Sequence, residues 1–342
     1  MDRRQYLRCL GAAGGVALAG CTESDDDPSD DTPAEDTPAD TDTPAQDTPA
    51  DTDTPEEGGG TASAAVGERV DGDNLSMVVR DVSETTSLGE FTEADEGNVF
   101  VVVRLAVKNT TSSEFADFNS LLQTRLVDDE DFTYDEAITA STGQDLTAGQ
   151  LAPGEVVRGD VVFEVPEDAS GLELEFDFEA FSFTSLDRVQ IDLTQEASSV
   201  ADLSQDLAVD VHGSGDAIER GGLTAQLQGF ETTTRIDEFT QADEGMEYAI
   251  VDVSVENQTG EDQSVSILLQ MMLKDGEGFA YTVDLAAYSA LDRAFEQGNP
   301  ISDGQTRRGK IAYQVPEGTS PLYWTFEFDP FVGGNKSFWQ VR

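Results

Sequence analysis

Cys21 is the residue whose setting most directly implies a covalent reaction. It closes the run Leu18-Ala19-Gly20-Cys21. A cysteine placed so, after a short apolar stretch, is an acceptor for lipid once the leader has been cut away in front of it. Other chemistry is hard to assemble. His212 is the single histidine, and Cys9 and Cys21 are the two cysteines. One imidazole and no thiol left over cannot build a Ser-His-Asp or Cys-His pair, nor a zinc site of the usual ligands. Carboxylates are so abundant that no pair stands out as the acid and base of a glycosidase. Oxygen-rich turns at Asp71-Gly72-Asp73-Asn74 and Asp128-Asp129-Glu130-Asp131 lack the spacing of a calcium loop. They are taken as solvated acidic turns. No catalytic residue, cofactor or metal is therefore expected, and the chain is read as not an enzyme. Of four Asn-x-Ser/Thr sequons, Asn109 and Asn257 are the candidate N-glycosylation acceptors, because they share one place in an internal repeat described below.

The leader carries Arg3 and Arg4 followed by Tyr6, Leu7 and Arg8. This resembles a twin-arginine export signal, with residues 1–20 as the signal peptide. The stretch from Cys9 to Gly20 is too short and too glycine-rich to span a bilayer, which takes about 20 apolar residues. Export followed by lipid attachment at Cys21 puts the protein at the cell membrane, on the extracellular side. Residues 21–60 then form a stalk. From Thr22 it holds no aromatic, no Val, Ile or Leu and no basic residue, and it repeats Asp-Thr-Pro. Such a segment cannot offset its chain entropy by burial and is expected to be disordered.

The formal charge is −51, from 70 acidic and 19 basic residues, and the lysines are Lys108, Lys274, Lys310 and Lys336. That balance excludes nucleic acid as a partner. The acids are spread along the whole chain, as expected of a surface adapted to molar salt. There the screening length falls to about 3 Å and self-repulsion is damped. The pattern resembles that of halophilic archaeal proteins.

Beyond the stalk the chain repeats itself. Glu90-Phe91-Thr92-Glu93-Ala94-Asp95-Glu96-Gly97 returns as Glu238-Phe239-Thr240-Gln241-Ala242-Asp243-Glu244-Gly245. Residues 99–109 match 247–257 as strands of period two, with Val101, Val103, Leu105 and Val107 on one face and Arg104 and Lys108 on the other. Leu121-Leu122-Gln123 returns as Leu268-Leu269-Gln270, and Phe132 and Tyr134 as Phe279 and Tyr281. The turn Pro153-Gly154-Glu155 has Asp303-Gly304-Gln305 in its place. Leu172, Leu174, Phe176 and Phe178 alternate with acids, and Leu322, Trp324, Phe326 and Phe328 repeat the alternation. This places Phe176 and Phe178 in a first core, and Trp324, Phe326 and Phe328 in a second. Glu175 and Glu327 should face water. Phe331, Phe338 and Trp339 are likewise read as core rather than as exposed binding aromatics.

Each copy reads as about seven short strands punctuated by Gly, Asp, Asn and Pro, which is the pattern of an antiparallel sandwich. The order of motifs resembles the telokin-like, immunoglobulin-like domain of unknown function found in extracellular prokaryotic lipoproteins. That family carries no established catalytic residues. The expected organisation is all-β: an immunoglobulin-like β-sandwich over 66–194, a polar linker over 195–215 that carries His212, and a second over 216–342, each able to fold alone. The function expected is a non-catalytic binding or cell-envelope interaction module, anchored to the membrane through Cys21 and facing a protein or glycan partner. The alternative is an accessory lipoprotein that presents ligand to a transporter or surface complex.

Overall fold

A computed structural model describes residues 60–89, 92–146, 149–177, 186–329 and 336–342. Arg3, Arg4, Cys21 and the stalk up to residue 59 lie outside the described residues, as do Phe178 and Phe331. The described residues fall in one compact unit, and within it two sandwiches follow one another.

The first sandwich runs β1 (Gly60–Val66), β2 (Arg69–Asp71), β3 (Leu75–Thr85), β4 (Ser87–Leu88), β5 (Thr92–Glu93), β6 (Asn98–Asn109), β7 (Ala116–Phe118), the single-turn helix α1 (Ser120–Gln123), β8 (Thr124–Val127), β9 (Thr133–Tyr134), β10 (Gly149–Leu151), β11 (Val156–Pro166), β12 (Glu173–Asp177) and β13 (Leu186–Glu196). The second runs β14 (Val211–His212), β15 (Ala217–Arg220), β16 (Leu223–Thr233), β17 (Met246–Asn257), α2 (Ile267–Gln270), β18 (Met271–Asp275), β19 (Ala280–Tyr281), α3 (Leu285–Ser289), β20 (Thr306–Pro316), β21 (Leu322–Glu327) and β22 (Lys336–Gln340). Both copies stack a five-stranded sheet on a four-stranded one. The orders are β1-β13-β12-β8-β9 over β11-β6-β3-β2, and β14-β22-β21-β18-β19 over β15-β16-β17-β20. The pairs are antiparallel except the first strand of each copy, which joins the last strand in parallel.

Between the sheets lie the alternating side chains. Val101, Val103, Leu105, Val107, Leu174 and Phe176 belong to the first core. Trp324, Phe326, Phe328 and Trp339 belong to the second, as their spacing predicts. A glycine in the middle of a strand usually weakens it. Gly159 in β11 and Gly309 in β20 are there for a close approach, since a Cβ would lie 2.5 Å from the backbone of Leu146 or 2.4 Å from that of Phe295. The loop that crosses each sheet can run against the strand only because no side chain stands there.

Three boundaries differ from those read in the sequence. The first sandwich begins at Gly60, because β1 pairs with β13 from Gly60 onward. His212 is not in a linker; it sits in β14 opposite Trp339, with ring centroids 5.6 Å apart. The connection between the copies is not a free polar tether either. Leu203 is buried against Val78, Ala106 and Val156 on the outer face of the first sandwich. The backbone N–H groups of Asp206 and Ala208 donate to the carbonyls of Gly154 (3.0 Å) and Pro153 (2.8 Å).

Candidate functional site at the domain junction

The turn at Pro153-Gly154-Glu155 points at the second sandwich. Gly154 has φ +76°, and a Cβ on it would fall 1.7 Å from the Asp206 carbonyl oxygen, so the linker backbone could not lie on this turn if any other residue stood here. Glu155 follows, fully buried. Its Oε2 accepts the Ala152 N–H at 2.7 Å, which fixes the carboxylate relative to its own turn. Its oxygens then receive Lys274 Nζ and Lys336 Nζ, the latter at 2.8 and 3.0 Å. Lys336 also donates to the Gln150 carbonyl at 2.9 Å, and Lys274 to the Val156 carbonyl at 3.3 Å. Glu327 Oε1 stands 3.9 Å from Lys336 Nζ. Two of the chain's four lysines are thus spent on one carboxylate from the other domain.

The electrostatics follow from the dryness of the site. Burial by itself would raise the Glu155 carboxyl; the charges of Lys274 and Lys336 outweigh it and hold the group below the usual carboxylate range. Burial lowers the Lys274 ammonium to about 8. Burial also raises the Glu327 carboxyl, which is not the water-facing acid its alternation predicts. Glu175, in the first sandwich, is also more covered than expected: it lies between Arg125 (2.8 Å) and Gln190 (2.9 Å).

Around this cluster further links cross the junction. The Arg158 N–H donates to the Gly278 carbonyl at 2.9 Å. The Arg158 guanidinium also holds the linker, reaching the Leu203 carbonyl at 2.6 Å and Asp202 at 2.9 Å. Gln205 Nε2 donates to the Asp275 carbonyl at 3.1 Å. Beside it a cleft of about 370 Å³ opens between Gln144, Asp145 and Leu146 of the first sandwich and Met246, Tyr281 and Thr282 of the second.

The other sequence candidates resolve into structure. Asn109 is fully buried, and its Nδ2 donates to the carbonyls of Glu114 and Leu151, both at 2.8 Å. Asn257 repeats this toward Glu261 and Ile301, both at 2.7 Å. Both amide hydrogens are committed inside the fold, so neither residue is presented as a glycan acceptor; the geometry makes each a turn builder. Asp128 and Asp275 are hairpin keystones. Each accepts backbone N–H groups across its own turn on Oδ1 and a tyrosine hydroxyl on Oδ2, Tyr134 at 2.7 Å or Tyr281 at 2.9 Å. Asp128 and Asp275 therefore spend their oxygens on the chain itself. Trp324 and Trp339 stack at 4.8 Å in the core, while Phe338 is buried on the opposite face of its strand, with the Lys336 ammonium 5.3 Å from its ring.

The apolar surface left open has a pattern of its own. Leu121 and Leu122 on α1 are exposed, and so are Leu268 and Leu269 at the same place on α2. The glutamine that follows each pair turns back to accept a backbone N–H, Gln123 from Asn119 (2.7 Å) and Gln270 from Ser266 (2.8 Å). The pair is therefore held outward by a built turn. Beside Leu269 a groove of about 500 Å³ runs past Val265 and Phe328. Among the described residues no helix is long and apolar enough to cross a membrane.

Residues 64–186 and 212–337 each match a domain of unknown function, DUF4352. Among solved structures the chain is similar to a candidate lipoprotein, ycdA, from Bacillus subtilis, at 18% identity over 37% of this chain and 39% of that one, with a TM-score of 0.31. It is also similar to a β-sandwich protein from Clostridium difficile, at 16% identity over 43% of this chain and all of that one, with a TM-score of 0.29. A third is the secreted protein MPT63 of Mycobacterium tuberculosis, at 16% identity over 38% of this chain and 96% of that one, with a TM-score of 0.30. No curated protein matches the chain.

Proposed function

From a chain that belongs to the DUF4352 family, with the domain present twice, we propose a non-catalytic binding module held at the outer face of the cell membrane by lipid on Cys21. The observation that carries the binding role is the outward leucine pair, Leu121-Leu122 and Leu268-Leu269, at one place in both copies. Exposed leucines add nothing to core packing, and a contact with an apolar part of another envelope protein gives them a use. The buried ion pairs at the junction link the two copies that carry these pairs. Anchoring rests on the Leu-Ala-Gly-Cys motif, and export through a twin-arginine route on Arg3 and Arg4. Spread acids suit an exterior of high salt, where short-range apolar contacts persist and long-range repulsion is screened.

The test is crosslinking on intact cells followed by recovery of the anchored protein, comparing the wild type with the double variant Leu122→Asp, Leu269→Asp. Both residues are exposed, so folding should be unaffected. Loss of a discrete crosslinked partner supports the reading, and an identical crosslinking pattern overturns it. Release of the variant Cys21→Ser from the membrane fraction checks the anchor in the same cells. A second reading, presentation of a small ligand to a neighbouring complex, is favoured by the cleft between the sandwiches, whose size falls in the range of small-molecule sites.

A further inference from the structure

We propose that Glu155 is the key of a one-way clasp, seated between Lys274 and Lys336, and that this clasp rather than the linker sets the registry of the two sandwiches. Three observations carry it, none of which depends on the binding role proposed above. The carboxylate is fully buried and satisfied on every side, once by its own turn and otherwise by the other domain. The face that receives it is built for cover. Met272, Thr325 and Phe338 are buried there, although they point away from the core between the sheets. Glycine is required on the far side too, since a Cβ on Gly278 would lie 2.8 Å from the Val156 carbonyl.

The internal repeat shows the direction. At the place of Glu155 the second copy has Gln305, so it carries no anionic key. At the place of Lys274 the first copy has Val127, and at that of Lys336 it has Arg188, so its sheet has neither lysine and keeps one of the two cations. The first domain can key into the second, but neither can key into a copy of itself. Between these two copies the clasp therefore runs in one direction only. A buried ion pair suits this role because mispairing leaves a charge in a dry interface, which disfavours every other registry strongly. Being buried, it is also screened far less than surface pairs in concentrated salt.

Hydrogen exchange on the full chain tests this. The Arg158 amide, which donates across the junction to Gly278, reports the clasp; Val103 in β6 and Val253 in β17 report the two cores. In Glu155→Gln the Arg158 amide should lose protection by about a hundredfold or more, with Val103 and Val253 unchanged. Lys336→Gln, which leaves the Glu155 turn intact, should do the same. Unchanged Arg158 protection in both variants overturns the proposal. So does a parallel loss at Val103 and Val253, or failure of both variants to fold, since the cluster would then belong to the cores rather than to registry.

Discussion

The outer face of the five-stranded sheet exists twice in this molecule and is used in opposite ways. In the first sandwich it carries Arg125, Glu175 and Gln190, joined to one another by hydrogen bonds. In the second sandwich the same positions hold Met272, Thr325 and Phe338, buried on the face from which Lys274 and Lys336 reach Glu155. The inner faces barely differ in kind, because both must fill a core. The contrast teaches that a repeat fixes the fold through the residues its copies share, and an interface through the outward positions where they diverge. The four-stranded sheet tells the same story from the other side. Val78, Ala106 and Val156 lie under Leu203 of the linker, and their counterparts are the polar Gln226, Ser254 and Thr306.

The sharpest way to break this comparison is to exchange the two characters. Phe338→Gln places an amide in a dry interface and removes a ring, and should cost about 3–5 kcal/mol. Gln190→Ala at the matching place should cost about 1 kcal/mol, the worth of one hydrogen bond. Denaturant unfolding of both variants measures the difference. Equal costs would mean that the two outer faces are equivalent after all.

Much of this was open to reading in the sequence. Alternation gave both cores, including Trp324, Phe326 and Phe328, because inward positions obey period two whatever lies outside the sheet. Glu327 and Glu175 were misplaced because period two says which way a side chain points and nothing about what comes to rest on it. The junction could have been found by setting the copies side by side, where Arg125 against Met272 and Gln190 against Phe338 mark the covered face. The linker misled because it docks through one buried leucine, Leu203, and through backbone and polar bonds, and a single large apolar residue makes no period. Asn109 and Asn257 read as glycan acceptors because an asparagine that builds a strand-end turn two residues ahead of a threonine spells a sequon. Phe239, in the best-matched segment of the repeat, is largely exposed, so strength of repetition alone did not locate the core.

A smaller effect separates the acids of the two faces. Glu175, though burial pushes it up, is held low by Arg125 and Gln190. Its stabilising share is present above the ordinary glutamate range and is lost as pH falls through its depressed value. Glu327 is raised by burial, so the folded state takes up its proton first. That share is present at low pH and is lost as pH rises through the raised value. Glu327→Gln, which mimics the protonated form, should therefore raise the melting temperature at pH 7, with the gain vanishing by about pH 4. Glu175→Gln should lower it at pH 7 and converge on wild type in acid. Melting curves across that range check both, and a destabilised Glu327→Gln at pH 7 would show that its ion pair with Lys336 matters more than its burial.

The smallest difference concerns a charge pair that the two copies keep with its polarity reversed. In the first sandwich Arg104 on β6 stands opposite Asp160 on β11, with Nε 3.0 Å from Oδ1. In the second, Asp252 on β17 stands opposite Lys310 on β20 and takes two bonds from Arg308, at 2.9 and 2.7 Å. Asp160 is buried and also accepts the Thr142 hydroxyl at 2.8 Å, whereas Arg308 is open to water. Arg104→Gln therefore leaves a buried carboxylate short of its cation and should cost about 1 kcal/mol. Arg308→Gln removes an exposed pair that gains little over hydration and should leave the melting temperature unmoved. Salt sharpens the contrast, since screening reaches exposed charges and spares buried ones. The Arg104→Gln deficit should persist in molar potassium chloride, measured by the same melts, and any small Arg308→Gln deficit seen in dilute buffer should disappear. If both deficits fade together with salt, Asp160 is as well solvated as Asp252, and the reversed pairs are interchangeable surface decoration.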